Sequence, residues 1–287
     1  MRRTLLVLLV VLATLVSAPS ASAIKYGTAD TGNQYPWVGL VVFYDANGNP
    51  LWRCSGSLLS SDLFLTAGHC TEDPAATAAI WFDVGPIQTD PQYIANLNSG
   101  ATDLCAGVTG YPCGGYDAIG TPESHPNWNG SLTIPQTSDV GVVYDLTWVG
   151  DMPTRFGTIA EPGTLDNLTY TNGKGNVEFT VVGYGLQGVK PVELSAKTRM
   201  IATVSLVNLQ SVLSGGWNLQ YSNNPGLGHG GSGGTCFGDS GGPVLYNGEI
   251  VAVNSFVLNN NCAGAGFGYR VDTTYAQSFI FGRHPAT

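Results

Sequence analysis

Charged residues are scarce in this sequence, and positive charge is the scarcer kind. Only 11% of the 287 residues are charged, and 11 Lys and Arg stand against 20 Asp and Glu, which gives a formal net charge of −9. An acidic chain with so little basic charge is a poor match for nucleic acid or anionic membranes. We therefore expect no nucleic acid and no membrane surface among the partners of the mature chain.

Helical periodicity is also scarce, and neither an internal repeat nor a linker divides the chain. Short β-rich runs bounded by Gly, Pro and Asn recur instead, which is typical of a β-sandwich or of closed barrels. A helix is predicted only for residues 275–280, capped by Asp272 or Thr273. Residues 71–121 and 214–234 are expected to form long loops. Strands are predicted at residues 38–44, 63–66, 140–144, 177–182, 198–207, 243–246, 249–257 and 267–271.

Apart from the N-terminus, no stretch of the chain is apolar enough to span a bilayer. Arg2 and Arg3 precede an apolar run at residues 5–16, and Ala21-Ser22-Ala23 fits the small-x-small pattern before a signal peptidase cleavage site. The alternative is a membrane anchor, but the run is shorter than the ~20 residues of a spanning helix. We predict a signal peptide at residues 1–23 and one secreted domain at 24–287.

The sequence contains no C-x-x-C pair, and its histidines do not cluster with its cysteines, which disfavours a zinc site. No metal and no cofactor are predicted. The six cysteines form an even set behind a secretion signal, so a disulfide framework is the natural interpretation. Six cysteines allow fifteen pairings, and the sequence alone does not choose among them. They are Cys54, Cys70, Cys105, Cys113, Cys236 and Cys262.

Three separated segments carry residue types that cooperate in nucleophilic catalysis. They are Leu65-Thr-Ala-Gly-His69-Cys70, Ser138-Asp139-Val-Gly-Val-Val143 and Cys236-Phe-Gly238-Asp239-Ser240-Gly-Gly-Pro243. A serine hydroxyl is a poor nucleophile until a base takes its proton, and histidine can do so near neutral pH. A buried carboxylate can hold the imidazole in the required tautomer. Taken singly, each segment could be structural, and together they predict a catalytic triad of His69, Asp139 and Ser240.

These motifs resemble, in order and in residue type, those of the chymotrypsin/trypsin-like serine proteases, and the likeness extends from about residue 24 to the C-terminal helix. The sequence looks most like a secreted bacterial member of this family. The resemblance implies that the protein is a serine endopeptidase. The implied fold is all-β, with two packed six-stranded antiparallel β-barrels, the active site between them and a short C-terminal helix. Asp117 and Asp145 are the rivals to Asp139, while His125 and His229 are interpreted as non-catalytic.

The resemblance also assigns roles to neighbouring residues. The backbone N–H groups of Gly238 and Ser240 would form the oxyanion hole. The new N-terminus at Ile24 would pair its ammonium with Asp239, so that signal peptidase itself activates the enzyme, although Lys25-Tyr26 departs from the family pattern. The implied disulfides are Cys54–Cys70 and Cys236–Cys262, with Cys105 and Cys113 left to close a small loop.

The specificity pocket is assigned to Gly234, Thr235, Ser255, Phe256, Val257 and Phe267. In trypsin-like members an acidic residue six positions before the nucleophile selects Arg or Lys, and this sequence has Gly234 there. Strong basic specificity is therefore not expected. Val257 and Phe267 would narrow the pocket, which favours small or medium apolar side chains, unless both are ordinary core residues.

Protein or peptide substrates and a monomeric state follow from this interpretation. Two other functions stay open at this point. One is a secreted binding protein that keeps the fold without catalysis, and the other is an esterase-like hydrolase that uses the same acyl chemistry. The intact set of three motifs argues against the first.

Overall fold

The computed structural model describes residues 24–168, 177–189, 193–223 and 233–282. The predicted signal peptide, His229 and part of the predicted loop at 214–234 lie outside the described residues. After a short strand β1 (Thr28–Ala29), six antiparallel strands close the first barrel in the order β2-β3-β4-β7-β6-β5. These strands are β2 (Val38–Tyr44), β3 (Pro50–Ser60), β4 (Leu63–Thr66), β5 (Thr77–Trp81), β6 (Ala118–Ser124) and β7 (Gly141–Trp148).

The second barrel also has six antiparallel strands, and β1 extends it by pairing with β9. Its order is β9-β10-β13-β12-β11-β8, and the pairing of β8 with β9 closes it. The strands are β8 (Glu178–Gly183), β9 (Met200–Asn208), β10 (Asn218–Ser222), β11 (Pro243–Tyr246), β12 (Glu249–Val257) and β13 (Ala265–Arg270). This is the two-barrel fold that the family resemblance implies.

Three helices accompany the barrels in the part of the chain that the structure describes. They are α1 (Gly68–Thr71), α2 (Pro91–Ser99) and α3 (Thr274–Ile280). The last confirms the predicted C-terminal helix, and its N-cap is Thr273, whose side chain accepts a hydrogen bond from the Ala276 N–H. No helix within the described ranges is long and apolar enough to cross a membrane.

The prediction that residues 71–121 form a long loop is wrong, because they contain β5, α2 and the start of β6. Helix α2 carries its own signals: Asp90 caps its start, Pro91 is its first residue, and Gly100 ends it at φ 68°. Periodicity missed it because only Asn96 of the helix is buried, while Ile94 and Leu97 are exposed. An apolar stripe facing the core is absent from this helix.

Strands β3, β6 and β10 were also missed, and β10 lies within the predicted loop at 214–234. Strand β3 contains Arg, Cys, Ser and Gly, so it lacks the alternation of apolar residues on which strand prediction depends. The strand forms nonetheless because its backbone hydrogen-bonds to a neighbouring strand on each side, β2 and β4, in the closed barrel.

A buried ion pair joins the two barrels. Arg199 directly precedes β9 and its side chain donates to Asp30 at 2.9 Å, and both side chains are fully buried. The same guanidinium donates to the carbonyls of Val38 and Phe82 in the first barrel, each at 3.1 Å. Buried charges are tolerated when they are paired and fully hydrogen-bonded. The contact therefore fixes the relative position of the barrels, between which the predicted catalytic residues lie.

Candidate active site

His69 lies on the single turn of α1, directly after β4 brings the chain to the barrel edge. A disulfide between Cys54 on β3 and Cys70 ties this turn to the first barrel. The His69 side chain is 28% exposed, so one edge of the ring is accessible while the other faces the protein. An imidazole held in this way can exchange a proton with a bound molecule.

Asp139 is fully buried two residues before β7, and its carboxylate faces the inner edge of His69. One oxygen accepts the His69 backbone N–H at 2.8 Å, and the other lies 2.9 Å from His69 Nδ1. The Ser255 hydroxyl donates to the same carboxylate. The rival Asp117 instead accepts the backbone N–H of Phe82. Of the candidate carboxylates, the structure brings Asp139 to His69.

The charges of this pair support each other. Burial lowers the pKa of His69, but the Asp139 charge and hydrogen bond, with a further contribution from Glu72, raise it above its ordinary value. Burial raises the pKa of Asp139, but the charge and hydrogen bonds of His69 and the Ser255 hydroxyl outweigh it, and the pKa is lowered. The aspartate is therefore held as a carboxylate, which stabilises a protonated imidazole.

Ser240 lies three residues before β11 begins, in a turn that hydrogen bonds from the first barrel hold in place. The Ser55 N–H donates to the Ser240 carbonyl, and the Ser55 hydroxyl donates to the Gly238 carbonyl, each at 2.8 Å. Gly238 has φ +92°, a left-handed conformation that glycine adopts without strain. Within the described chain, the N–H groups of Gly238 and Ser240 donate no hydrogen bond, which leaves two donors in one turn available to an anion.

His69 and Ser240 line the same pocket, which has a volume of about 220 Å³. Among the described residues, the His69 ring forms hydrogen bonds only with Asp139. The Ser240 hydroxyl is therefore not yet hydrogen-bonded to the ring. Catalytic hydrogen bonds are often long in the unliganded state and tighten when substrate binds. The three predicted triad residues thus meet at one site from three distant segments.

The predicted specificity residues divide into two groups. Thr235, Ser255, Phe256 and Val257 line the pocket beside Ser240. Phe267 does not reach the pocket surface, because it is fully buried and stacks on Phe256 with ring centroids 4.4 Å apart. Phe267 therefore supports the pocket wall by packing beneath Phe256, without lining the pocket itself.

Gly234 is likewise not among the pocket-lining residues. It pairs with Lys25 in a short antiparallel bridge, and a Cβ at Gly234 would collide with Asn223. The Thr235 hydroxyl instead lies 3.0 Å from the hydroxyl of Tyr221 beneath the pocket. The assignment of Gly234 and Phe267 to the pocket surface is therefore corrected.

The predicted N-terminal segment lies against the second barrel. Ile24 is fully buried in that barrel's core, and the Lys25 carbonyl accepts the Gly234 N–H at 3.0 Å. Asp239 is fully buried and accepts the N–H groups of Gly185 and Cys236 at 2.8 and 2.9 Å. Burial raises the pKa of Asp239 to about 7 despite these bonds. Because Ala23 precedes it here, the Ile24 nitrogen is an uncharged amide.

All six cysteines are paired, as Cys54–Cys70, Cys105–Cys113 and Cys236–Cys262. The first and third are the pairs that the family resemblance implies, and the second closes the small loop expected for the two remaining cysteines. The sulfurs of Cys54 and Cys70 lie close to the His69 ring, but as disulfide sulfurs they do not offer the thiolates that metals bind.

Two features of the site were not foreseen. Ser255 was assigned only to the pocket wall, yet its hydroxyl also holds Asp139 in place. Ser55 fixes the turn that carries Ser240.

A larger cavity of about 530 Å³ lies between β6 and α3, beside His125, and none of the triad residues lines it. His125 stacks on Tyr275 of α3 at 4.7 Å, away from Ser240.

Comparison with known families agrees with this geometry. The model of the family described as Trypsin matches residues 122–280, just over half of the chain. The chain belongs to the trypsin family. It is 25% identical over 254 residues to "Trypsin, alkaline B" of Manduca sexta, which covers 84% of this chain and 82% of the relative. It is 26% identical over 212 residues to the brachyurin of Leptuca pugilator, with 74% and 79% covered.

These trypsin-family relatives come from an insect and a crab, so they do not support the prediction of a bacterial member. Solved structures agree on the fold. HL collagenase superposes with a TM-score of 0.64 at 17% identity, covering 92% of this chain and all of that one. The scabies mite inactivated protease paralogue S-D1 superposes at 0.59 and 16% identity, with 91% and 98% covered. The fold therefore includes an inactivated protein, and activity must be argued from the residues.

Proposed function

We propose that this trypsin-family protein is a secreted serine endopeptidase with Ser240 as nucleophile, His69 as general base and Asp139 as the residue that orients the histidine. The observation that carries the proposal is the row from Asp139 to His69, bonded at 2.9 Å, beside a pocket that both His69 and Ser240 line. A row of this kind has the chemistry required to activate a hydroxyl.

The reaction proceeds through an acyl-enzyme. His69 Nε2 takes the proton of the Ser240 hydroxyl as its oxygen attacks the scissile carbonyl, and a tetrahedral oxyanion forms. The protonated imidazole then gives its proton to the leaving amine, and the C–N bond breaks. Water, deprotonated by His69, attacks the ester in the same way and releases the acid product with Ser240 restored.

Two sets of fixed groups stabilise the charges that develop. The Asp139 carboxylate, fully buried and hydrogen-bonded, stabilises the imidazolium of His69. The Gly238 and Ser240 N–H groups are proposed to receive the oxyanion, in a turn that Ser55 holds in place. Loss of one such donor typically raises the barrier by roughly 3 kcal/mol.

Cleavage after small or medium apolar residues, rather than after Arg or Lys, is proposed from the pocket. Among the described residues, no Asp or Glu lines the pocket, and the position six before the nucleophile, where trypsin-like members carry the acidic residue that selects a basic side chain, is Gly234. Val257 lies on the pocket wall, and the stacked rings of Phe256 and Phe267 limit its depth. The pocket volume of about 220 Å³ suits a short side chain.

Secretion and activation are proposed to be one step. Removal of residues 1–23 as a signal peptide would turn the Ile24 nitrogen into an ammonium, the natural partner for the buried Asp239 carboxylate. The three disulfides fit an oxidising compartment. N-terminal sequencing of active protein is expected to begin at Ile24, and any other start would rule out this route.

Reaction with a diphenyl phosphonate probe tests the catalytic proposal. Such probes attach to a serine only when a neighbouring base activates it. We expect mass spectrometry to locate the label on Ser240, with no labelling of Ser240→Ala and normal labelling of Ser278→Ala, which alters a serine on α3. Correctly processed protein that stays unlabelled would instead favour the silent binding protein.

Peptide and ester substrate panels separate an endopeptidase from an esterase-like hydrolase. The endopeptidase should hydrolyse internal peptide bonds of unfolded proteins, because the pocket opens to solvent beside Ser240. An esterase would hydrolyse only activated esters. Hydrolysis of esters without any peptide cleavage would overturn the proposed substrate class.

A further inference from the structure

A groove of about 590 Å³ lies between α2 and the β2–β3 hairpin. Its apolar side includes Ile94 and Leu97, which are 42% and 51% exposed on α2. Two cations, Arg53 and Lys197, also line it. The same helix that buries almost nothing against the core therefore presents apolar side chains to this groove.

The groove adjoins the proposed oxyanion turn through Arg53. The position that a Cβ would take at Gly238 lies 3.0 Å from Arg53 Nη1. Arg53 is held in place because its Nη1 donates to the Tyr184 carbonyl at 2.7 Å and its Nη2 to the Ser195 hydroxyl at 2.9 Å. A guanidinium has five N–H donors, so these two bonds leave others for a ligand.

The two cations are near each other in a chain that has few of them. Burial and then the charge of Arg53 lower the pKa of Lys197. Lys197 Nζ lies 5.1 Å from the centre of the Tyr111 ring and 3.1 Å from the Thr89 hydroxyl. The acidic residue at this groove is Glu193, which is exposed. An anion that binds between Arg53 and Lys197 would relieve their repulsion.

The direction of the substrate chain determines which part reaches the groove. Ser255, Phe256 and Val257 of β12 line the pocket on one side of Ser240, where the acyl half of a substrate would bind. Arg53 belongs to β3 of the opposite barrel, adjoins the Gly238 turn and is not among the residues that line this pocket. The half of the substrate that follows the cleaved bond would therefore leave toward Arg53.

We infer that this groove binds the leaving half of protein substrates and selects an acidic side chain within the first three residues after the cleaved bond. Arg53 and Lys197 would receive its carboxylate, and the exposed apolar face of α2 would contact the residues that follow. Arg53 adjoins the turn that carries Ser240, and extended chain advances about 3.3 Å per residue, so the first few residues after the bond would lie nearest the two cations. The inference rests on the proposed endopeptidase activity.

Peptides with one fixed acyl half and varied residues after the bond test this inference. We expect kcat/KM on the order of fivefold higher for Asp or Glu than for Asn or Gln, the size of a partly exposed charge-assisted contact. Arg53→Gln and Lys197→Gln should each reduce the preference, and Arg53→Glu should favour Lys instead. Arg155→Gln, which removes a positive charge outside the groove, should leave the preference intact.

A nitroanilide substrate that ends at the cleaved bond serves as the second readout, since it has no residues to enter the groove. Its hydrolysis should be the same in wild type and Lys197→Gln, because Lys197 has no described contact with the Gly238 turn. Peptides cleaved at equal rates whatever residue follows the bond would overturn the groove inference alone. Absence of hydrolysis of both substrate types would overturn the endopeptidase proposal with it.

Discussion

The state of the Ile24 nitrogen should control the stability of this protein through Asp239. We consider a chain with one additional residue, beginning at Ala23, against a chain beginning at Ile24. In the longer chain the Asp239 carboxylate is buried with two N–H donors but without an ammonium beside it. In the shorter chain the new terminus supplies that ammonium. Ser240→Ala in both chains prevents self-cleavage during the measurement.

The magnitude follows from the pKa of Asp239, which burial raises from 3.8 to about 7. A folded-state pKa above the unfolded value means that the folded chain binds more protons between the two values. The stabilisation from the protonated acid is fully present below the unfolded pKa and is lost as pH rises through the folded pKa. A difference of about three pKa units corresponds to about 4 kcal/mol.

Urea unfolding between about pH 4 and pH 8 measures this effect. We expect the chain beginning at Ala23 to lose about 4 kcal/mol more of its unfolding free energy over that range than its Asp239→Asn counterpart. The asparagine variant is the matched control, since it keeps the side-chain volume and removes only the ionisation. In the chain beginning at Ile24, the α-ammonium should pair with the carboxylate and largely abolish the loss up to about pH 8.

Equal pH dependence of the Ala23 chain and its Asp239→Asn variant would refute the reasoning, because it would mean that the carboxylate is not desolvated. Equal behaviour of the Ala23 and Ile24 chains would refute the pairing alone. The second result would require another route of activation for this trypsin-family member.

Three further outcomes are expected. The pH profile of kcat/KM should rise with a midpoint above 6.5 as His69 deprotonates, and Glu72→Gln should shift the midpoint to lower pH, since Glu72 raises the pKa of His69. Phe267→Ala should extend cleavage to larger apolar residues in a peptide-library profile while lowering stability by about 3–5 kcal/mol in urea unfolding. Replacing Cys105 and Cys113 by serine should cost at most about 2.5 kcal/mol, with unchanged nitroanilide hydrolysis, because neither lines the pocket.

The chemistry of the site could be predicted from short windows of sequence because the residue types themselves carry it. A histidine, an aspartate and a serine in a Gly-Asp-Ser-Gly-Gly-Pro run are recognisable without coordinates. The strand-rich fold could be predicted because most strands are apolar runs bounded by turn residues. All eight predicted strands are present, with boundaries shifted by a few residues in some.

Local pattern failed where tertiary contacts replace it. Strand β3 forms without apolar alternation because barrel closure pairs it on both sides. Helix α2 has capping residues but no buried apolar stripe, so the spacing of its apolar residues does not predict a helix. Phe267 resembles a pocket residue in sequence, but its stacking on Phe256 shows that it lies behind the wall.

The sequence by itself determined which side chains this protein has available for catalysis, which cysteines it can oxidise and that its fold is built from strands. Only the tertiary structure decided which of them meet. Asp139 and Ser255 are 116 residues apart along the chain, yet one hydroxyl holds one carboxylate. Arg53 reaches the Gly238 turn across the boundary between two barrels. Distances of that kind depend on how both barrels close and pack, and no window of neighbouring residues contains them.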